Sequence, residues 1–296
     1  MPGQPLDGNY RSIQTELYDP VGLQYTTQQA GTPKTASDGT IYASGIVQLT
    51  AGASSNGLPV QLPAIVQKAS NTSTGSVASL AKTFTSNNVA GNSIVVVAGC
   101  GNGTAMTVAD SAGNTYTSAI AAPNSTTFGA QIFFSTGPLS SSNGGIVGGA
   151  NTVTVTNAGT AASMAVEIYE VSGLITQVQA QPGQTSLGTG TGTTATTSAI
   201  APSVPNALAF AGVAIGTAVV TVVAAGSGLT YDSGTLQPAT PAGLYQFAAF
   251  SGNLGAIGGL IPTATWTGSE PWAMAAAIFK PVALGIEGTV RIGGYN

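Results

Sequence analysis

The sequence predicts an all-β protein in which two tandem, internally duplicated antiparallel β-sandwich domains of the jelly-roll or Ig-like type follow an extended N-terminal arm. From residue 76 onward, short runs rich in β-branched residues alternate with Gly, Asn, Ser and Asp clusters at the spacing of about 8–12 residues typical of sandwiches. No long window places helix-forming residues at helical spacing. The third observation is an internal repeat.

The repeat consists of five short blocks that recur in the same order, each 110 to 115 residues after its counterpart. T-V-T-V-T at 152–156 corresponds to T-A-T-W-T at 263–267, and M-A-V-E-I-Y at 164–169 corresponds to M-A-A-A-I-F at 274–279. Two copies that differ in loop length keep the order of their blocks while the spacing drifts. The blocks therefore predict a duplication, with each copy the size of one small sandwich.

Composition and repeat together divide the chain into five segments. These are an N-terminal arm and attachment segment with one or two strands (1–75), a first sandwich (76–172), a Thr/Gly-rich linker (173–192), a second sandwich (193–282) and a C-terminal tail (283–296). The arm differs from the rest because six of the sixteen charged side chains lie in the first 38 residues. Two alternatives stay open: 58–67 suits a connector that pairs with its own sheet or a neighbour's, and the Thr-rich stretch suits an edge strand as well as a linker.

Strand positions follow from the apolar pattern. The continuously apolar runs at 94–99 and 208–216 predict central strands covered on both faces. Strict alternation at 152–156 places Val153 and Val155 inward and the threonines outward. D-S-A-G-N-T-Y at 110–116 collects turn formers and predicts a tight hairpin. The expected core contains Phe84, Val96, Phe133, Met164, Ile168, Leu208, Phe247, Met274 and Ile278.

Composition excludes most catalytic chemistry. The chain has no histidine, so Ser-His and Cys-His nucleophile pairs and His-ligated zinc are absent. Charged residues make up 5% of the chain, against about 25% in typical soluble domains. We therefore expect no enzyme activity and no cofactor. The single cysteine, Cys100, permits no intrachain disulfide and is expected to be a buried, inert thiol.

Charge and hydropathy also restrict the partners. A net charge of -4 and six scattered basic residues argue against nucleic-acid binding, which needs clustered Lys and Arg. No apolar run approaches the roughly 20 residues that span a bilayer, so no membrane segment is expected. The first residues also lack the charged-then-apolar order of a signal peptide, from which we expect a protein that the general secretory route does not export.

Three sets of residues are candidates for a site. Glu167 and Glu170 are the only close acidic pair beyond the arm, but residues three apart on a strand point to opposite faces, which favours a solvated edge pair. Asp110 and Asp232 lie among oxygen-bearing residues without the calcium-loop pattern, so a turn role is favoured. Trp266 and Trp272, with Tyr116 and Tyr231, are candidates for stacking on sugars. Core packing is the alternative for Trp266, because it has the inward parity of its strand.

Several of these motifs resemble β-sandwich modules of bacteriophage virion proteins and some bacterial surface proteins. The resemblance rests on A-G-N-S-I-V-V-V, M-T-V-A-D-S-A-G-N-T-Y, Q-I-F-F, N-T-V-T-V-T and M-A-V-E-I-Y-E-V-S-G, in this order from residue 90. It covers the first copy, extends more loosely to the second, where A-A-G-S-G-L-T-Y replaces the turn motif, and covers none of the first 60 residues. The resemblance implies a non-enzymatic structural module and brings no catalytic residues.

The expected function is therefore that of a virion structural protein on the surface of a phage particle, specifically a capsid decoration or cement protein. Its arm would add backbone hydrogen bonds to the major capsid protein or another virion subunit, as in β-augmentation. A homo-oligomer, for example a trimer, would fit this role. Two alternatives stay open: a glycan-binding adhesion module that uses Trp266 and Trp272, and a tail or filament subunit that assembles by strand donation.

Overall fold

The computed structural model describes residues 62–73, 75–120, 128–136, 145–174, 184–216, 228–232, 246–255 and 258–281, and the backbone of 222–226 and of four short strands between residues 26 and 50. All regular elements in these ranges are β-strands, and every strand pair is antiparallel. The predicted all-β class is confirmed. No helix of the described residues is long and apolar enough to cross a membrane.

The N-terminal strands belong to a unit formed by residues 1–60 and 283–296. They are β1 (Thr26–Ala30), β2 (Lys34–Thr35), β3 (Ile41–Tyr42) and β4 (Ile46–Thr50). β1 pairs with β4, and β2 pairs with β3 inside that pair. The sequence predicted one or two strands in an extended arm, whereas this stretch pairs with itself as an antiparallel ribbon.

Residues 61–282 form a second compact unit, whose first half contains a five-stranded and a three-stranded sheet. The described strands of this half are β5 (Ala64–Thr72), β6 (Ser79–Thr83), β7 (Ser93–Cys100), β8 (Met106–Asp110), β9 (Thr115–Ser118), β10 (Gly129–Thr136), β11 (Thr152–Asn157) and β12 (Met164–Ser172). The sheet orders are β5-β12-β7-β10-β9 and β6-β11-β8. β5 lies within the predicted N-terminal arm and attachment segment (1–75), but in the structure it is an edge strand of the larger sheet.

The second half of this unit forms one sheet that bends back on itself. Its described strands are β13 (Thr185–Thr196), β14 (Ala207–Ile215), β15 (Val222–Gly226), β16 (Thr230–Tyr231), β17 (Gln246–Leu254) and β18 (Thr263–Phe279). The order is β13-β18-β14-β17-β16, and β15 pairs with the first part of β18. The Thr-rich stretch, for which linker and edge strand were both open, is thus the edge strand β13.

Strand pairing follows the same order in both halves. In the first half β12 lies between β5 and β7, and β11 lies between β6 and β8. In the second half the later part of β18 lies between β13 and β14, and its earlier part lies between β13 and β15. The two halves differ in one respect. In the first half β5 and β6 are separate strands, as are β11 and β12, whereas β13 and β18 each run continuously through the corresponding positions. β18 turns at Gly268, whose φ of +89° is a conformation that glycine adopts readily.

Three hydrophobic clusters lie between successive layers. The first separates the three-stranded sheet from the five-stranded sheet and contains Val153, Val155, Val96 and Ile168. The second separates the five-stranded sheet from the main part of the second-half sheet and contains Val97, Phe210 and Phe247. The third lies inside the bent sheet and contains Val213, Ala264 and Trp266. The unit is therefore a stack of four β layers.

This stacking explains the continuously apolar strands. β7 and β14 are the middle strands of their sheets, and alternate residues of each enter different clusters. Every residue of both strands is buried, as predicted for strands covered on two faces. All nine residues predicted for the core are buried as well. The hairpin predicted at 110–116 is wrong, because β8 and β9 lie in different sheets and the turn crosses from one to the other.

Candidate functional site

Trp266 and Trp272 lie inside the bent sheet. Their side chains are 4% and 7% exposed and belong to the third cluster. The Trp272 ring covers Gly188 and Gly190 of β13: a Cβ added to Gly190 would lie 2.8 Å from Cζ2 of this ring. Sugar stacking needs an exposed aromatic face, which neither indole presents. Core packing, the alternative given for Trp266, describes both residues.

Tyr116 and Tyr231 do not form an exposed aromatic platform either. The Tyr116 hydroxyl donates to Oδ2 of Asp110 at 2.8 Å, and burial, followed by the Asp110 charge, raises the pKa of this phenol. The Tyr231 ring packs against Phe250 with ring centroids 5.5 Å apart. Both rings therefore serve internal contacts.

The Glu170 carboxylate is a polar centre of the first half that four donors of the fold surround. Its oxygens accept hydrogen bonds from Gln67 Nε2 at 2.6 Å, Asn92 Nδ2 at 2.6 Å, Val89 N at 2.7 Å and Asn88 Nδ2 at 2.9 Å. Burial raises the pKa of Glu170, but these four donors, Gln67 first, outweigh it, so the pKa lies below its ordinary value. The carboxylate thereby ties β5 and the 88–92 segment to β12.

The acidic pair is placed differently from the sequence expectation. Glu170 has the strand parity of Val166 and Ile168 in the first cluster, and Glu167 has the parity of Tyr169 in the second. The two carboxylates thus point to opposite faces, as predicted. They are buried rather than solvated, with exposures of 2% for Glu167 and 0% for Glu170. The expectation of a solvated edge pair is wrong because β12 is an interior strand.

Asp110 organises the turn that follows β8. Its Oδ1 accepts from Asn114 N at 2.9 Å, and its Oδ2 accepts from Asn114 Nδ2 at 2.7 Å and Asn151 Nδ2 at 2.8 Å, besides the Tyr116 hydroxyl. Gly113 adopts a φ of +78° between these partners. All the donors come from the fold itself, which is the arrangement of a structural turn. No group of three metal-ligating side chains occurs in the described parts of the chain.

Asp232 links the two halves of the unit. Its Oδ1 lies 2.9 Å from Lys68 Nζ, and its Oδ2 accepts from the Tyr169 hydroxyl at 3.0 Å. Burial, then the Asp232 and Glu167 charges, raise the pKa of Tyr169, which stays protonated and donates this bond. The lone thiol, Cys100, is buried in the first cluster, and burial raises its pKa.

The two outermost layers carry a different kind of surface. We define face A as the outward side of the three-stranded sheet; it consists of Ser79, Ala81, Thr83, Thr107, Ala109, Thr152, Thr154 and Thr156. We define face B as the described outward side chains of the bent sheet; they are Thr194, Thr196, Thr263, Thr265 and Thr267. Neither set contains a charged residue. The described side chains of faces A and B are therefore arrays of hydroxyl and methyl groups.

Cross-strand pairing arranges both faces in rows. On face A, Thr154 lies between Ala81 and Ala109, and Thr156 lies between Ser79 and Thr107. The Thr83 and Thr152 hydroxyls are 2.8 Å apart in the next row. On face B, Thr194 pairs with Thr265, and Thr196 pairs with Thr263. Strict alternation in the sequence predicted the outward threonines at 152–156 of face A. The sequence alone could not predict that eight residues of three strands form one uncharged face, because this depends on the pairing register.

Comparison of the chain with protein-family models, with curated proteins and with solved structures found no match in any of the three. The fold and the site therefore rest on the geometry alone. Among the described residues, that geometry comprises internal polar centres, buried aromatics and two uncharged outer faces.

Proposed function

We propose that this chain is a non-enzymatic structural protein of a bacteriophage virion, a capsid decoration or cement protein. In this proposal the N-terminal segment attaches to the major capsid protein or another virion subunit. The layered body of residues 61–282 then lies on the particle surface, and many copies act together through multivalency. The sequence resemblance to phage sandwich modules supports this assignment.

The observation that carries the proposal is how the body uses its polar groups. Glu170, Asp110 and Asp232 each accept several hydrogen bonds from donors of the same fold. A catalytic carboxylate instead needs access to a substrate. Since these groups stabilise the fold and the outer layers present uncharged faces, the body fits a role as a packing unit.

We also propose that the body arose by duplication of one sandwich. The five sequence blocks and the identical pairing order of the two halves support this. In the copies, β13 corresponds to β5 and β6, and β18 corresponds to β11 and β12. The two copies would then pack through the five-stranded sheet of the first half and the main part of the bent sheet of the second half, with the second hydrophobic cluster between them.

Deleting residues 1–38 tests the attachment role. The truncated chain should fail to bind purified undecorated capsids in a co-sedimentation assay that retains the full chain. Both tryptophans of the chain lie in the body, so unchanged tryptophan fluorescence verifies that the body folds.

A charge variant makes the test sharper. Arg11 and Lys34 are the two basic residues of the deleted segment, and Lys82 is a basic residue of the body. The double substitution Arg11→Gln with Lys34→Gln should weaken capsid binding, whereas the control Lys82→Gln should not. Full occupancy by the truncated chain would show that attachment does not depend on the arm.

A further inference from the structure

The edge strand β13 pairs on one side only among the described strands. It stands at the end of its sheet beside β18, and no described strand pairs with its other side. Thr189, Gly190 and Thr191 are exposed. An edge strand presents a row of backbone N–H and C=O groups, and a further extended strand is the partner that satisfies such a row. We call this side of β13, over residues 185–191, the open edge.

The register with β18 shows which residues face the open edge. The carbonyl of Gln184 accepts a hydrogen bond from the N–H of Ile278 at 2.9 Å, one position before the first pair of the β13–β18 register. Hydrogen-bonded and non-hydrogen-bonded pairs alternate along an antiparallel ladder. The even-numbered residues from 184 to 192 therefore bond to β18. The odd-numbered residues direct their N–H and C=O groups to the open edge; they are Thr185, Leu187, Thr189 and Thr191.

The other described edges of the body have features that oppose strand addition. Natural edge strands are protected by short length, charged side chains, proline or β-bulges. β9 and β16 contain only four and two residues, and β15 contains a bulge. β5, β6 and β8 contain Lys68, Lys82 and Asp110, respectively. β13 has none of these features over residues 185–192, because its bulge lies beyond Gly192.

We propose that the open edge of β13 pairs antiparallel with the open edge of a second copy of this chain. The two strands are related by a two-fold axis at Gly188, so that the two sheets join edge to edge. Thr185 then lies opposite Thr191 of the second copy, and Leu187 lies opposite Thr189. This register pairs the odd-numbered residues of both strands and forms about eight backbone hydrogen bonds. An axis at Thr189 would place Thr185 opposite the bulge and lose about two of them.

The sequence of the open edge favours β13 of a second copy as its partner. Residues 185–191 contain only Thr, Ser, Leu and Gly, so two copies approach without burying an unpaired charge. The register places threonine opposite threonine at both ends, a cross-strand pair that stabilises antiparallel sheets. The N-terminal strands are less suited, since β1 already pairs with β4 and β2 with β3. Pairing two open edges satisfies both at once.

The contact closes on itself. The same residues contribute from each copy, so the interface is isologous and leaves no second open edge for a third copy. Its hydrogen bonds fall within the range of about 10 ± 5 that typical protein interfaces contain. The expected product is therefore a dimer rather than a filament. The contact goes beyond the proposed function, because it involves neither the arm nor a capsid.

Sedimentation equilibrium of the full chain tests the contact. Wild type should approach twice the 29.0 kDa monomer mass as concentration rises and should not exceed it. Thr189→Pro removes an N–H from the open edge and leaves the ladder to β18 intact, so it should dimerise on the order of tenfold or more weakly. The matched control Thr189→Ala keeps this N–H and should dimerise like wild type. Tryptophan fluorescence verifies folding, because the Trp272 ring covers Gly190.

Cysteine cross-linking tests the register without a proline. The Cα atoms of a hydrogen-bonded pair lie about 5.5 Å apart, within the range of about 4.4–6.8 Å that disulfides span. An equimolar mixture of Thr185→Cys and Thr191→Cys should therefore give a covalent dimer on mild oxidation, as seen by non-reducing electrophoresis. Either variant alone should not, because the two copies of one position lie about 20 Å apart. The native Cys100 is buried.

Three results would overturn the inference. A wild-type chain that stays monomeric near millimolar concentration has no such contact. A folded Thr189→Pro that dimerises like wild type uses another surface, the arm included. A mixture of the two cysteine variants that dimerises without cross-linking, or a single variant that cross-links with itself, has a different register or a different partner strand. Loss of capsid binding on arm deletion is a separate result, so it does not bear on this contact.

Discussion

The packing between the five-stranded sheet and the main part of the bent sheet depends on two glycines that face one aromatic ring. A Cβ added to Gly99 would lie 2.5 Å from Cδ2 and 2.9 Å from Cε2 of Phe247. A Cβ added to Gly212 would lie 2.5 Å from Val97 Cγ1 and 3.1 Å from Phe247 Cζ. Gly99 belongs to β7 and Gly212 to β14, so the ring of β17 is confined by both sheets.

Replacing either glycine with alanine should destabilise the body. Carbon atoms in contact normally lie about 3.5–4.0 Å apart, so each substitution requires a displacement of about 1 Å. Phe247 is 0% exposed and lies against both glycines, which leaves it little room to move. Overpacking of this kind costs about 1–3 kcal/mol in free energy of unfolding. We expect Gly99→Ala and Gly212→Ala each to lie in that range.

Urea denaturation followed by tryptophan fluorescence measures this effect. Gly255→Ala is the matched control, because no atom lies within 4 Å of its added Cβ and its φ is not positive. The control should be neutral or stabilising by up to about 1 kcal/mol. Phe247→Leu should partly rescue Gly99→Ala, since it removes ring atoms from the clash. If all three glycine variants unfold at the same urea concentration, the two sheets do not pack as described.

Two further predictions concern buried polar groups. The pKa of Glu170 is below its ordinary value, so its stabilising contribution is present above the unfolded-state pKa near 4.3 and is lost as pH falls through the folded-state pKa. Glu170→Gln should therefore lower the free energy of unfolding by about 2–3 kcal/mol at neutral pH and by less at pH 3. Urea denaturation of wild type and variant at both pH values measures this difference. A difference that is the same at both pH values would contradict the prediction. Tyr169→Phe should lower the free energy of unfolding by about 1–2 kcal/mol, because it leaves a buried Asp232 oxygen without its donor. Lys68→Met should lower it by under about 1 kcal/mol, because the Lys68 side chain is 40% exposed. If thermal unfolding shows Lys68→Met to be the more destabilised variant, the Tyr169 hydroxyl is not the main partner of Asp232.

Local patterns were sufficient to predict the strands and the core. Continuous apolar runs identified β7 and β14 as central strands, and the alternation of T-V-T-V-T identified an outer strand with threonines outward. These predictions hold because burial on one or two faces leaves a direct imprint on residue order. The predicted bounds were weakest at β5 and β13, whose polar sequences become edge strands only through pairing with β12 and β18.

The roles of the polar residues depended on tertiary contacts that no local pattern contains. The donors to Glu170 lie 78 to 103 residues away along the chain, and Asp232 lies 63 residues from Tyr169. The turn at 110–116 has the composition of a hairpin, yet its strands separate into two sheets. Its signal, Asp110 followed by Gly113 and Asn114, specifies a tight turn but not which strand comes next to which.

The low charge of the chain follows from this architecture. A stack of four layers has three interior interfaces, so the middle strands present both faces to apolar neighbours and have no side open to water. Charged residues are then excluded from most strand positions, except where a cluster of amide and backbone donors surrounds them, as at Glu170. The outer faces are open to water, so burial does not exclude charged side chains from them. The described side chains of faces A and B are only Ser, Thr and Ala, so hydroxyl groups rather than charges are the polar groups that these two outer layers present to water.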